Sequence, residues 1–266
     1  MIELQGQTAL VVGPRDAVSV TIAEQLSAAG AAVRAAIPLS TVPTGKHAAG
    51  IDYVVGSSEG PYTTYVFDDS YPETIHGDIT ALGPVDIAII APSWYGDQLF
   101  LKSTPEDWET AFTQNYEKAV YIAQAVARPM IDLGRGGRII LLSTVAAMMP
   151  FIQLSAYGAS LAALRALAKM IAVDLGPHGI TANVVAQGWV ETERNTPHLT
   201  PEGREYIEAG IPLKRVGRPQ DIANVCLFLA SELAAYVTGA VIPVDGGFML
   251  TQSDGETLFP PGKVAL

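Results

Sequence analysis

The chain has 266 residues, 49% of them hydrophobic and 16% charged, a balance that supplies a large apolar core and argues against an extended disordered chain. Its formal charge of −11 and sequence pI near 4.7 argue against a nucleic-acid surface, because phosphate affinity needs clustered Lys and Arg. A single cysteine, Cys226, cannot form an internal disulfide and reads as a core residue within VCLFLA.

The opening MIELQGQTALVV lacks the basic-then-apolar build of a secretion signal. No uninterrupted apolar run reaches the roughly 18 residues of a membrane helix, so a cytoplasmic protein without membrane contact is expected. Thr8 to Val12 predicts a strand ending at Gly13. Val18, Ile22, Leu26 and Ala29 recur at helical spacing, and Gly30 closes that helix as a C-cap. Residues 31–37 read as a second strand stopped by Pro38. A short helix at most fits 45–52, and Tyr65 to Phe67 form a third strand leading into Asp68 and Asp69.

DIAIIA, residues 86–91, is apolar in consecutive positions, the mark of a strand buried on both faces. A long helix over 105–128 carries Glu106, Asp107 and Glu109 in its first turns, where the helix dipole favours acid. Strand 136–143, helix 156–175, strand 180–186, helix 219–231 and strand 237–244 complete the series. Strands separated by helices across residues 1–250, with no linker between them, predict one α/β domain. Its architecture is a doubly wound, mostly parallel Rossmann-type sheet of about seven strands with helices on both faces. The polar stretch 191–212 interrupts the rhythm and reads as a helical flap over the sheet's C-terminal edge. Pro260 and Pro261 prevent a regular helix in the tail 251–266, whose Leu258, Phe259, Val264 and Leu266 suggest an arm packed on the body or on a neighbouring subunit.

Ligands of such a sheet bind beyond the C-terminal ends of the strands. Trp94, Tyr95, Met148, Met149, Phe151, Gln187 and Trp189 fall at that rim, a lining that predicts a small, uncharged or partly apolar ligand. Tyr157 stands at the start of a helix, thirteen residues after Thr144 at a strand end, so the two hydroxyls can converge on one substrate oxygen. A tyrosine with an ordinary pKa near 10 is a weak base at neutral pH. An acid–base role needs a positive neighbour, a helix N-terminus or a bound cation; without one, the same residue is a structural tyrosine. Asn115, in NYEKAVYIAQ, reaches the interior only if both ends of its amide find partners. His47, His76, His178 and His198 are never spaced as ligand pairs, and there is no GKS/T loop, G-x-S-x-G elbow or CxxC. No metal site is expected.

The motif GRPQDIANVCLFLASELAAYVTGAVIPVDGG at 217–247, with Asn115, STVAA at 143–147, the Thr144–Tyr157 spacing and GITANVVAQGWVET at 179–192, resembles the short-chain dehydrogenase/reductase family over residues 4 to about 250. The resemblance implies a homodimer or homotetramer built on the two long helices. It also implies that Tyr157 is the proton donor or acceptor, that Thr144 holds the substrate oxygen, and that Asn115 supports a proton-relay water. Cofactor contacts, if a dinucleotide binds, fall to Gly13, Arg15, Ile37, Asp68, Ala91, Val190 and Thr192.

Several positions depart from the family pattern. Ala17 and Ser19 stand where glycines let the backbone approach a pyrophosphate. Ile90, Ala91, Pro92 and Ser93 replace an N-N-A-G motif, Ile37 replaces the acid expected at an adenine ribose, and Gln187 precedes Gly188 where proline is usual. The lysine expected four residues after the tyrosine is Leu161, which removes a cofactor contact and a positive charge together; Arg165, a turn further on, reaches Tyr157 only in unusual packing. AAM at 146–148 and Ala186, Gln187 and Trp189 are similar to some halohydrin dehalogenases, a branch without a dinucleotide. The expectation is therefore an enzyme acting through Tyr157 and Thr144 on a small oxygenated molecule without a nicotinamide cofactor, as a lyase, isomerase or dehalogenase-like catalyst. An NAD- or NADP-dependent oxidoreductase with divergent motifs and a catalytically silent binding subunit are the alternatives.

Overall fold

A computed structural model describes residues 2–42 and 61–251. The short helix expected over 45–52 and the tail beyond residue 251 lie outside the described residues. Seven strands, β1 (Thr8–Val12), β2 (Ala32–Pro38), β3 (Thr63–Phe67), β4 (Ile87–Ile90), β5 (Gly137–Thr144), β6 (Ile180–Gln187) and β7 (Val241–Val244), form one sheet in the order 3-2-1-4-5-6-7. Each neighbouring pair is parallel, which the long helical crossovers require. The helices of the described residues are α1 (Ala17–Ala28), α2 (Pro72–Ala81), α3 (Pro105–Phe112), α4 (Lys118–Leu133), α5 (Ser155–Leu175), α6 (Pro201–Gly210) and α7 (Pro219–Ala230).

The side-chain period of two sorts each strand between two cores. Leu10, Val12, Ala88, Ile90, Ile139 and Leu141 pack on one face beneath Ile122, Val126, Leu161 and Leu164 of α4 and α5. Their alternates Ala9, Val11, Ile87, Ile89, Ile140 and Leu142 pack on the other beneath Ile22, Leu26, Ile222 and Cys226 of α1 and α7. α5, extended to His178, has the length and composition of a membrane span. It lies along β5 and β6 instead, burying Ala156, Leu161, Leu164, Ala168 and Ala172, and its apolarity serves that packing.

Three elements differ from the sequence expectation. α2 has no counterpart in it, because its buried stripe is only Ile75 and Ile79, too thin to stand out beside Gly77 and two threonines. The helix expected over 105–128 is α3, a wide π turn at Thr113–Glu117, and α4. α4 runs through Pro129 to Leu133; Met130 lies so close over Gly137 that a Cβ there would meet its sulfur at 2.5 Å, and this contact ties the last turn to the sheet despite the missing amide. The final strand begins at Val241 rather than 237. In the flap, Ile207 and Ile211 join Val145, Val216 and Phe248 in a third small core, which fastens α6 over the sheet's C-terminal edge.

Candidate active site

α5 starts directly against the turn that follows β5. A Cβ at residue 158 would lie 2.7 Å from the Ala146 carbonyl oxygen, so the approach requires Gly158. That close contact brings Tyr157, in the first turn of α5, and Thr144, at the end of β5, to the wall of one cavity of about 110 Å³. Tyr95, Phe151, Gln187, Trp189, Val190 and Thr192 line the same cavity. Trp189 is held edge-on to His198 with ring centroids 5.9 Å apart.

Tyr157 is 3% exposed. The Tyr95 ring meets it edge-on at 5.1 Å, and Arg194 Nη1 donates a hydrogen bond to its phenol oxygen at 2.9 Å. The Arg194 guanidinium also stands 5.2 Å over the Tyr95 ring and 6.0 Å from that of Tyr157. Burial pushes the Tyr95 hydroxyl above the ordinary tyrosine range, Asp97 and Tyr157 add to it, and Arg194 pulls the other way. Sequence reasoning missed Arg194. It lies 37 residues beyond Tyr157, and the one signal for it is an arginine inside the polar flap segment ETERNT. Leu161 is wholly buried in the core, and Arg165 is not among the residues lining the cavity.

The π turn between α3 and α4 directs Asn115 inward, as such widened turns often do at functional sites. Its Oδ1 accepts from the Trp94 backbone N–H at 3.0 Å, and its Nδ2 donates to Ser160 Oγ at 3.1 Å. Ser160 Oγ in turn donates to the Tyr157 carbonyl at 2.9 Å. Asn115 therefore braces the backbone of Tyr157 against the β4 loop, and it shares a separate cavity of about 10 Å³ with Ala91. Trp94 and Met149 also leave the main cavity. The Trp94 ring packs toward the core and fills the space beside Gly96, while Met149 packs with the third core.

Of the expected cofactor positions, Gly13, Arg15 and Ile37 meet at a cavity of about 20 Å³ together with Ser19. A Cβ at Gly13 would come 2.6 Å from that of Ala91, so the ends of β1 and β4 approach too closely for any other residue. Asp68 turns away: its carboxylate accepts from Ser70 N at 2.9 Å in the turn before α2. Beside it, Asp69 forms a buried ion pair with Lys118 and accepts from Ser40. Burial pushes the Asp69 carboxyl up, but the hydrogen bonds from Lys118 and Ser40 outweigh it and hold the group below the usual carboxylate value. At the N-terminus of α1, Asp16 accepts from Ser19 N at 2.8 Å and Glu193 from Ala17 N at 3.4 Å. Two buried side-chain oxygens along this edge, Ser19 Oγ and Gln187 Oε1, have no hydrogen-bond partner.

A family model described as enoyl-(acyl carrier protein) reductase matches residues 15–249. The chain is 34% identical over 250 residues to the 3-oxoacyl-(acyl-carrier-protein) reductase FabG of Escherichia coli, covering 94% of this chain and 100% of that protein. It is 33% identical over 252 residues to the L-rhamnose 1-dehydrogenase (NAD(P)(+)) of Sphingomonas sp., covering 92% and 96%. A solved structure from Agrobacterium tumefaciens, named for 2-deoxy-D-gluconate 3-dehydrogenase and holding bound NADP, superposes with a TM-score of 0.79 at 25% identity, covering 93% and 98%.

These likenesses overturn the expectation of a cofactor-free lyase, isomerase or dehalogenase-like enzyme. Near full-length relatives are named as reductases and dehydrogenases, one of them for NAD(P), and a structural neighbour holds NADP. A dinucleotide site of this fold extends along the sheet's C-terminal edge, so the loss of single contacts at 17, 19 and 161 does not by itself exclude a dinucleotide.

Proposed function

The chain belongs to the short-chain dehydrogenase/reductase family, and on that premise we propose that it is an NAD- or NADP-dependent oxidoreductase interconverting a carbonyl and an alcohol. The observation that carries this reading is the buried Tyr157 hydroxyl sharing one cavity with Thr144. Thr144 Oγ holds the substrate oxygen. Tyr157 gives that oxygen a proton in the reductive direction and takes one from it in the oxidative direction. Tyr95, Phe151 and Trp189 favour a small substrate with an apolar flank. Asn115 keeps the start of α5 in register through Ser160.

The nicotinamide, when bound, supplies or accepts the hydride. Gly13, Arg15 and Ile37 are the residues for its adenosine end, and Ala91, Val190 and Thr192 for the rest of the cleft. The unpartnered Ser19 Oγ and Gln187 Oε1 support this fit, since buried polar atoms are rarely left unpaired. The departures at 17, 19, 90–93 and 161 make the protein a divergent member of its family. The same reading makes it a cytoplasmic homodimer or homotetramer, and the exposed Met170 and Val173 on the outer face of α5 favour a partner subunit there. Titration with NADH and NADPH, by calorimetry and nicotinamide fluorescence, tests the proposal. Micromolar binding of at least one, with turnover on a panel of aliphatic and aromatic ketones, is the expected result. Absence of binding up to millimolar concentrations overturns it.

A further inference from the structure

We propose that Arg194, delivered by the flap after β6, is the charge partner that prepares Tyr157 for proton transfer. The proposal rests on the reading of Tyr157 as the acid–base group of an oxidoreductase. Tyr157 is buried and flanked by the Tyr95 ring, and a phenolate in such a place is costly unless a cation faces it. α5 offers none: the residue one turn on is Leu161, wholly buried in the core. Among the described residues, no lysine and no other arginine lines the cavity.

The geometry at the phenol oxygen has a definite consequence. A hydroxyl carries one proton and two lone pairs. Arg194 is a donor only, so its 2.9 Å bond occupies a lone pair and the Tyr157 proton must point elsewhere. The cavity wall that holds Thr144 is where an acceptor on the substrate would lie. Arg194 thus orients the proton and remains beside the oxygen that loses it. In reduction the Tyr157 O–H bond breaks and an O–H bond forms on the former carbonyl oxygen, a step balanced at the carbonyl carbon by the hydride that a bound reduced nicotinamide would supply. Negative charge is left on the Tyr157 oxygen, against the guanidinium, until a solvent proton restores the phenol. A hydrogen bond to a neutral phenol becomes charge-assisted only as that charge develops, so its gain falls on the transition state rather than the ground state.

Two features keep the guanidinium available for this task. It makes no ion pair among those of the described residues, so no carboxylate neutralises it. Its stacking over Tyr95 at 5.2 Å restrains it without cancelling its charge. The neighbouring Glu193 contacts the α1 N-terminus, which anchors the same loop segment. The other titratable groups on the cavity are Asp16, Tyr95, Asp97 and His198, and each is held constant in the comparison that follows.

The test compares wild type with Arg194→Gln, Arg194→Lys and Tyr157→Phe. The hydrogen bond is read, in the protein without cofactor and at one fixed pH, from the 13C resonance of the tyrosine Cζ, with Tyr157→Phe assigning the Tyr157 signal. That signal should move in Arg194→Gln, where the guanidinium donor is lost, and Arg194→Lys should restore most of the difference. In turnover, Arg194→Gln should lower kcat about 10²–10³-fold and change the carbonyl KM little. Coincident wild-type and Arg194→Gln resonances of Tyr157 overturn the proposal. So does a variant that raises KM with kcat unchanged, because that result assigns Arg194 to substrate binding. If wild type binds neither NADH nor NADPH, the oxidoreductase reading fails while the cofactor-free resonance comparison still decides the Arg194–Tyr157 pairing.

Discussion

At the scale of single residues, chemistry and packing meet at Tyr157 and Gly158. Tyr157→Phe removes only a hydroxyl whose acceptor role is to Arg194, so thermal unfolding should shift by no more than a few degrees while kcat falls at least about 100-fold. Retained turnover would remove Tyr157 from the mechanism. Gly158→Ala forces a methyl to 2.7 Å from the Ala146 carbonyl oxygen. Such overpacking should cost about 1–3 kcal/mol in urea unfolding and lower activity by displacing Tyr157 from Thr144. Cys226 is a contrasting case: complete burial pushes its thiol up to about 12, so a thiol reagent should label it only as fast as the protein opens. The Thr144–Tyr157 pair was legible because both belong to one strand–turn–helix unit. Gly158 and Arg194 were not, because a close approach and a hydrogen bond across 37 residues leave no local period.

Between elements, the Asp69–Lys118 pair joins the end of β3 to α4 in a buried setting. Lys118→Met leaves an uncompensated buried carboxylate and should cost about 3–5 kcal/mol, and the double change Asp69→Leu with Lys118→Met should recover most of it. Asp69 is held below its ordinary 3.8 in the folded state. Its contribution to stability is therefore present at neutral pH and is lost as pH falls through that depressed value. Urea midpoints measured from pH 6 to pH 3 should fall less steeply in Asp69→Asn than in wild type; equal slopes would show that the pair carries no such linkage. At the other end of the edge, Glu193 places a carboxylate on the α1 N-terminus, where a phosphate would otherwise find positive dipole. Glu193→Gln should tighten NADPH binding about two- to fivefold by calorimetry, since such exposed charge–dipole terms are worth about 0.3–1 kcal/mol. Unchanged or weaker binding would mean that Glu193 does not compete with the dinucleotide. The strands were legible in consecutive apolar runs such as DIAIIA. α2 was hidden by its two-residue stripe, and the final turn of α4 by Pro129, a local stop signal that packing on Gly137 overrode.

For the molecule as a whole, binding of a dinucleotide to the folded state alone must raise its stability by mass action. At a concentration 100 times Kd the gain is about 2.7 kcal/mol, or roughly 5–10 °C in Tm for a chain of this size. A thermal melt with and without NADPH and NADH checks this, and no shift with either would count against a nicotinamide site. The layered parallel sheet, the helices on both of its faces and the Thr144–Tyr157 pair were legible along the chain. Each of these follows from apolar periodicity or from spacing inside a single βα unit, and such information is local. Folding alone sets Asn115 to brace a backbone, turns Trp94 and Met149 from the cavity, and brings Arg194 rather than a residue of α5 to the Tyr157 hydroxyl. Those outcomes depend on which distant segments share space once the flap is fastened over the sheet edge, and no periodicity along the chain encodes that neighbourhood.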